Sequence, residues 1–267
     1  MTRNLCNILA VLLLGAAALG ARAGVTSAAS HVGAADMARY GATMLRAVGG
    51  SRVSGAVAIY GGSSGLIVAV SVSGLKPMST HPEHIHAGAC GSNGAVKYPL
   101  ANLVADTHGN ATAVTRIATM AVARSGWYVN VHNSDAALTV VACGNVHRAT
   151  MDVDLKGVGG SGGRGVALVS RVAGGTEVVV YVTHLGGAGV HPEHLHAGSC
   201  GSNGPIKYPL TNLITNARGD GTSATLIKGT IAMTGLYLNV HTSASNLAVQ
   251  ACGNLGATST GSGGNGY

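Results

Sequence analysis

The sequence is poor in charge and in aromatic rings: of 267 residues, 9% are Asp, Glu, Lys or Arg and 3% are Phe, Tyr or Trp, with no Phe and one Trp. So little charge excludes a coiled coil and a charged disordered tail. So few rings exclude a sheet that stacks bases on aromatic side chains. Basic residues outnumber acidic ones, 16 to 9, yet no two are adjacent, so no basic stripe forms and no nucleic-acid partner is expected. No membrane span is expected either. The longest apolar run, Ile8–Leu19, falls short of the roughly 20 residues a spanning helix needs.

That run has another reading. It follows Met-Thr-Arg-Asn, is broken only by Gly15, and leads to Ala21-Arg22-Ala23, the pattern of a secretory signal peptide over residues 1–23. Cleavage before Gly24 predicts a protein exported to the periplasm or the medium. Residues 24–40 are expected to be a linker, and 256–267, rich in Gly, Ser and Thr, a flexible tail.

What is abundant is glycine, 42 residues, and hydrophobic residues, 46% of the chain. They are arranged in a repeat. His81 to Val104 (HPEHIHAGACGSNGAVKYPLANLV) and His191 to Ile214 (HPEHLHAGSCGSNGPIKYPLTNLI) agree at 18 of 24 positions at an offset of 110. Tyr128-Val-Asn-Val-His132 matches Tyr237-Leu-Asn-Val-His241, and Ala142-Cys-Gly-Asn145 matches Ala251-Cys-Gly-Asn254, at an offset of 109. The chain therefore divides into copies over 41–147 and 148–255, each the size of a β-sandwich domain.

Within a copy, segments rich in Val, Ile, Thr and Ala alternate with Gly and Ser clusters: 42–48, 53–60, 66–73, 111–117 and 127–132. This spacing predicts an all-β fold, two tandem Greek-key β-sandwiches. Gly61 to Gly65 and Ala173 to Thr176 read as hairpin turns. Of five cysteines, Cys6 lies in the signal peptide and Cys90, Cys143, Cys200 and Cys252 remain, an even number that in an exported chain implies two disulfides. The economical pairing is Cys90 with Cys143 and Cys200 with Cys252, although four cysteines allow three connectivities.

Eight of the twelve histidines fall in two matched sets, His81, His84, His86 and His132, and His191, His194, His196 and His241. His84 and His86 are two apart, so on a strand both imidazoles project from one face. His132 shares its face with Tyr128 and Asn130, so a third imidazole can join the pair. Imidazoles without a thiolate suit Cu(II) or Zn(II), up to one ion per copy. His81 and His191, each before a proline, are candidates for an additional ligand or for a supporting hydrogen bond. Glu83 and Glu193 alternate away from the imidazole face and are expected to be exposed.

These residues resemble the copper/zinc superoxide dismutases and the related chordin-type (CHRD) domains of secreted proteins. The resemblance spans nearly all of each copy: Ser-Gly-Leu75, His84-x-His86, Ala-Gly-x-Cys90, Ala105-Asp106-x-x-Gly109, Val131-His132 and Ala142-Cys143-Gly144. It implies copper ligands at His84, His86 and His132, with His194, His196 and His241 in the second copy, and a disulfide inside each copy. It also has gaps. Gly91 to Leu100 holds no His or Asp for a zinc site, and only ten residues separate His132 from Cys143, too few for the charged guiding loop. Val140 and Val249 stand where the family has an arginine.

The functional expectation is an exported copper-binding protein with superoxide dismutase-like sites, its partners being copper ion and superoxide. The alternatives are a copper buffer or carrier without turnover, and a metal-free structural or interaction module.

Overall fold

The computed structural model describes residues 41–62, 65–119 and 126–256. The expected signal peptide, the linker and all but Gly256 of the tail lie outside them. Every regular element described is a strand. No described helix is long and apolar enough to cross a membrane.

In the first half the strands are β1 (Gly41–Ala47), β2 (Ser54–Gly62), β3 (Gly65–Ser73), β4 (Thr80–His81), β5 (Glu83–Ala87), β6 (Val96–Pro99), β7 (Leu103–Val104), β8 (Ala111–Ile117), β9 (Trp127–His132), β10 (Val140–Asn145) and β11 (His147–Arg148). The second half continues with β12 (Met151–Gly157), β13 (Arg164–Val172), β14 (Gly175–Thr183), β15 (Gly189–His191), β16 (Glu193–Ala197), β17 (Ile206–Pro209), β18 (Leu213–Thr215), β19 (Gly221–Lys228), β20 (Leu236–His241) and β21 (Val249–Asn254).

Each half forms one large antiparallel sheet, ordered β6-β5-β9-β10-β1-β2-β3-β8 and β17-β16-β20-β21-β12-β13-β14-β19. The chain leaves β3 for the far edge at β5, returns to β8 beside β3, and crosses again to β9 beside β5. These crossings are Greek-key connections, and they fold each sheet over itself. Ile85 and Val129 from one end of the first sheet accordingly share a core with Val57, Val68 and Val70 from the other. Leu195, Leu238, Val169 and Val180 repeat the arrangement in the second.

The expected pairing of the cysteines is observed, Cys90–Cys143 and Cys200–Cys252, at sequence separations of 53 and 52. The expected hairpin after Val172 is a two-residue turn, Ala173-Gly174, between paired Val172 and Gly175.

The two sheets also pack on each other. Strand β2 is apolar on both sides, and its outer residues Ala56 and Ala58, with Ala42 and Ala69, lie against Val166, Leu168, Val179 and Ala224 of the second half. Small residues let the sheets approach closely. The Met44 amide donates to Glu177 Oε2 at 3.2 Å, the Thr222 amide to Ser71 Oγ at 2.8 Å, and the Tyr60 and Tyr181 rings meet at 5.5 Å.

Candidate metal centre

Strand β5 reads Glu-His-Ile-His-Ala, and its pairing with β9 sets His84 opposite Asn130, Ile85 opposite Val129 and His86 opposite Tyr128. Ile85, Val129 and Val131 enter the core. His84 and His86 are therefore turned to the outer face with Tyr128, Asn130 and His132, as alternation requires. The donor nitrogens of His84, His86 and His132 lie within 4.8 Å of one another, and those of His194, His196 and His241 do the same. Three nitrogens sharing one ion at about 2.0 to 2.1 Å stand roughly 3 to 4 Å apart, so each set is gathered close to the spacing that a shared ion requires.

The hydrogen bonds determine which nitrogen each ring offers. His86 Nδ1 donates to the Gly94 carbonyl at 2.9 Å and His132 Nδ1 to the Leu138 carbonyl at 2.9 Å, leaving Nε2 of both rings with its lone pair. His84 differs: its Nδ1 is buried and has no hydrogen-bond partner. The second copy repeats this, with His196 Nδ1 on Gly204 and His241 Nδ1 on Leu247, and with His194 Nδ1, His196 Nε2 and His241 Nε2 buried and unpartnered. Buried nitrogens without partners are costly in a folded protein, and three converging lone pairs are what a cation would satisfy. The residues thus fit a metal ion of the imidazole-binding kind.

Burial, and then the neighbouring rings of His132 and His86, lower the pKa of His84; burial, then His241 and His196, lower that of His194. Burial is also the main cause lowering that of His241. Each shift favours the neutral ring, the form that ligates.

The loop after the disulfide cysteine supports the second ligand. The Tyr128 ring stacks on His86 at 5.0 Å, and its hydroxyl accepts from the Gly94 amide at 2.9 Å. A Cβ at Gly94 would stand 1.6 Å from the Ala87 carbonyl oxygen, so only glycine allows this approach. Gly204 and Tyr237 do the same in the second copy.

His81 and His191 stand outside the two triads. Both nitrogens of each ring are engaged, Nδ1 with the His132 or His241 carbonyl at 2.9 Å and Nε2 with a hydroxyl, that of Ser79 or Thr215. Glu83 and Glu193 require a correction. They do lie off the imidazole face, but the face they occupy is the sandwich interior: Glu83 is 1% and Glu193 0% exposed. From the sequence two polar groups carry no assigned role, although Asn130 is placed on the face of His132. Asn130 and Asn239 each sit between two residues of the imidazole face with a buried, unpartnered Oδ1; their place on the strand of the third His was the available signal.

A model of the CHRD domain matches residues 46–137 and 150–247. No curated protein matches the chain. Among solved structures, a double mutant of a SOD-like protein from Bacillus subtilis aligns at 19% identity over 40% of this chain and 97% of that one, with a TM-score of 0.31, a likeness too weak to bear on function.

Proposed function

This chain belongs to the CHRD-domain family and carries the domain twice, and from that premise we propose that it is an exported copper-binding protein whose sites serve superoxide dismutase-like chemistry. The observation that carries the reading is the pair of triads whose free nitrogens converge in both copies. Copper would be held by His84 Nδ1 with Nε2 of His86 and His132, and by His194 Nδ1 with Nε2 of His196 and His241. Three imidazoles with no thiolate in reach suit Cu(II) and Zn(II) alike, and the preference for copper rests on the resemblance of the ligand set to the copper site of the superoxide dismutases. The four cysteines among the described residues are all in disulfides, which also supports an oxidising destination.

When bound, copper supplies one-electron chemistry, one superoxide being oxidised to dioxygen and the next, with two protons, reduced to hydrogen peroxide. The protein's part is positional. The β5–β9 ladder fixes His84 and His86 on one face, the Gly94 and Leu138 carbonyls fix the rings of His86 and His132, and the lowered pKa of His84 keeps a lone pair available. A buffer or carrier without turnover is the second reading, favoured by Val140 and Val249 at the position of the family's arginine, which leaves a superoxide anion without that docking charge.

Mass spectrometry of mature, oxidised protein from copper-replete medium is the test. One copper per copy, lost in the His84→Ala, His194→Ala double variant, supports the reading. Superoxide decay on the same sample then separates enzyme from buffer. Protein that stays metal-free overturns both and leaves the structural module.

A further inference from the structure

The third ligand of each triad sits where the ladder ends. His132 closes β9, and the β9–β10 pairing is irregular there, with a register shift between Val140 and Ala142. Its amide still donates to the Pro82 carbonyl at 2.9 Å, and its ring is held by Leu138. Its carbonyl is received by His81, 2% exposed, whose Nδ1 donates at 2.9 Å. A carbonyl only accepts, so this Nδ1 carries the hydrogen and Nε2 is left to the neighbouring hydroxyl. In the second copy, His241 donates its amide to Pro192 at 3.0 Å and its carbonyl is received by His191 Nδ1 at 2.9 Å.

The hydroxyl on the far side of the ring comes from different places in the two copies. In the first it belongs to Ser79, 2.7 Å from His81 Nε2; in the second to Thr215, 3.1 Å from His191 Nε2. The counterpart of Ser79 is Gly189, and the counterpart of Thr215 is Ala105. Gly189 and Thr215 face each other in register across β15 and β18. The hydroxyl has thus changed strands, and a Cβ at Gly189 would come 3.0 Å from His191 Nε2, where the hydroxyl of Thr215 approaches. Each hydroxyl also lies within reach of a backbone carbonyl, Ser79 of Lys76 at 2.5 Å and Thr215 of Gly187 at 2.7 Å, so its single hydrogen is shared between that carbonyl and the Nε2 lone pair. Two sequence changes that cancel and return the same contact are unlike the drift of a bond that does nothing.

From this we infer that His81 and His191 are positioning residues, each tied by a hydroxyl at Nε2 so that Nδ1 holds the backbone of the third ligand and aims its ring at the ion. This role rests on the copper reading of the triads. It gives the third ligand the rigidity that the first two receive from the ladder.

The test uses the mature chain with the second site silenced by His194→Ala and His241→Ala, so that copper reports on the first copy alone. Ser79→Ala and His81→Gln should weaken copper binding by about 10- to 100-fold, the usual effect of losing an outer-shell partner, and should change the copper hyperfine pattern in electron paramagnetic resonance. Ser79→Gly with Ala105→Thr, which transplants the arrangement of the second copy, should restore both. A purely structural bond would lower the melting temperature and leave the hyperfine pattern unmoved, which would overturn the inference, as would failure of the transplant to rescue Ser79→Ala. In the metal-free protein, the imidazole 15N resonances of His132 should shift in Ser79→Ala and return in the transplant. That readout judges the positioning role even where the parent chain binds no copper, a result that would sink the copper reading alone.

Discussion

The two copies agree at the metal-binding face and disagree in the core beneath it. Ring separations in the triads match to a few tenths of an ångström, 5.7, 5.2 and 6.3 Å against 5.6, 5.1 and 6.1 Å. Directly behind, Glu83 is buried with both carboxyl oxygens unpartnered, whereas Glu193 accepts a hydrogen bond from Ser223 at 2.6 Å. The counterpart of Ser223 is Ala113. The site geometry is therefore indifferent to whether that acid is bonded, which places the carboxyl's importance in stability rather than in aiming the imidazoles. Its burial pushes the Glu83 pKa well above the usual carboxylate range; burial raises that of Glu193 to about 8, with Ser223 pulling the other way.

The largest effect that could break the likeness of the copies lies in the disulfides. Loops of 53 and 52 residues should each stabilise their own half by about 4 kcal/mol in the chain-entropy model, so replacing either cysteine pair by alanine should cost nearly the same. Urea unfolding of Cys90→Ala, Cys143→Ala against Cys200→Ala, Cys252→Ala reads this directly. A difference above about 1 kcal/mol would mean that one copy relies on its neighbour through the Met44–Glu177 and Ser71–Thr222 contacts and the other does not.

Much of this was legible in the residues. The segments 66–73, 111–117 and 127–132 fall on observed strands within a residue, because β-branched runs between Gly clusters have few other uses. The triads were legible because an i, i+2 pair on a strand must share a face and the duplication marked its partner. Alternation, however, says only that Glu83 lies opposite His84, not which side is the interior; a carboxylate's usual preference for water then pointed the wrong way. The choice of Nε2 at His86 and His132 depends on the Gly94 and Leu138 carbonyls brought in by loops, so no strand pattern encodes it. The packing of one half on the other had a signal, since Ala56–Tyr60 and Val178–Val182 lack the alternation of a strand with one wet face.

Acidity sharpens the comparison next. Both buried carboxyls hold their protons more tightly folded than unfolded, so the stability they permit is complete below the unfolded value near 4.5 and declines as pH rises. For Glu193 the decline ends near pH 8, where the folded carboxyl itself ionises; for Glu83 the direction is the same. Each group can contribute at most about 1.4 kcal/mol per pH unit. Glu193→Gln, which mimics the protonated acid, should flatten the pH dependence of urea midpoints of the metal-free protein between pH 5 and 8, as judged at about one-unit steps. An unchanged slope would show that Glu193 is ionised in the fold.

The smallest expected effect is the most specific. Ala113→Ser gives Glu83 the hydroxyl that Ser223 gives Glu193. Ala113 is 9% exposed and packs in the first core, so the oxygen enters a place already lined for an alanine and its acid partner waits unbonded. A buried hydroxyl without a partner would destabilise by about 1 to 3 kcal/mol, whereas one bonded to a lone carboxyl should return about 1 kcal/mol net. The sign of the change, rather than its size, is informative. Stabilisation in Ala113→Ser, absent when Glu83→Gln or Glu83→Leu is already present, would show that the first copy lacks only this bond to match the second. Destabilisation in both backgrounds would show that the two interiors differ in shape as well as in hydrogen bonding, even though their outer faces superpose their imidazoles so closely.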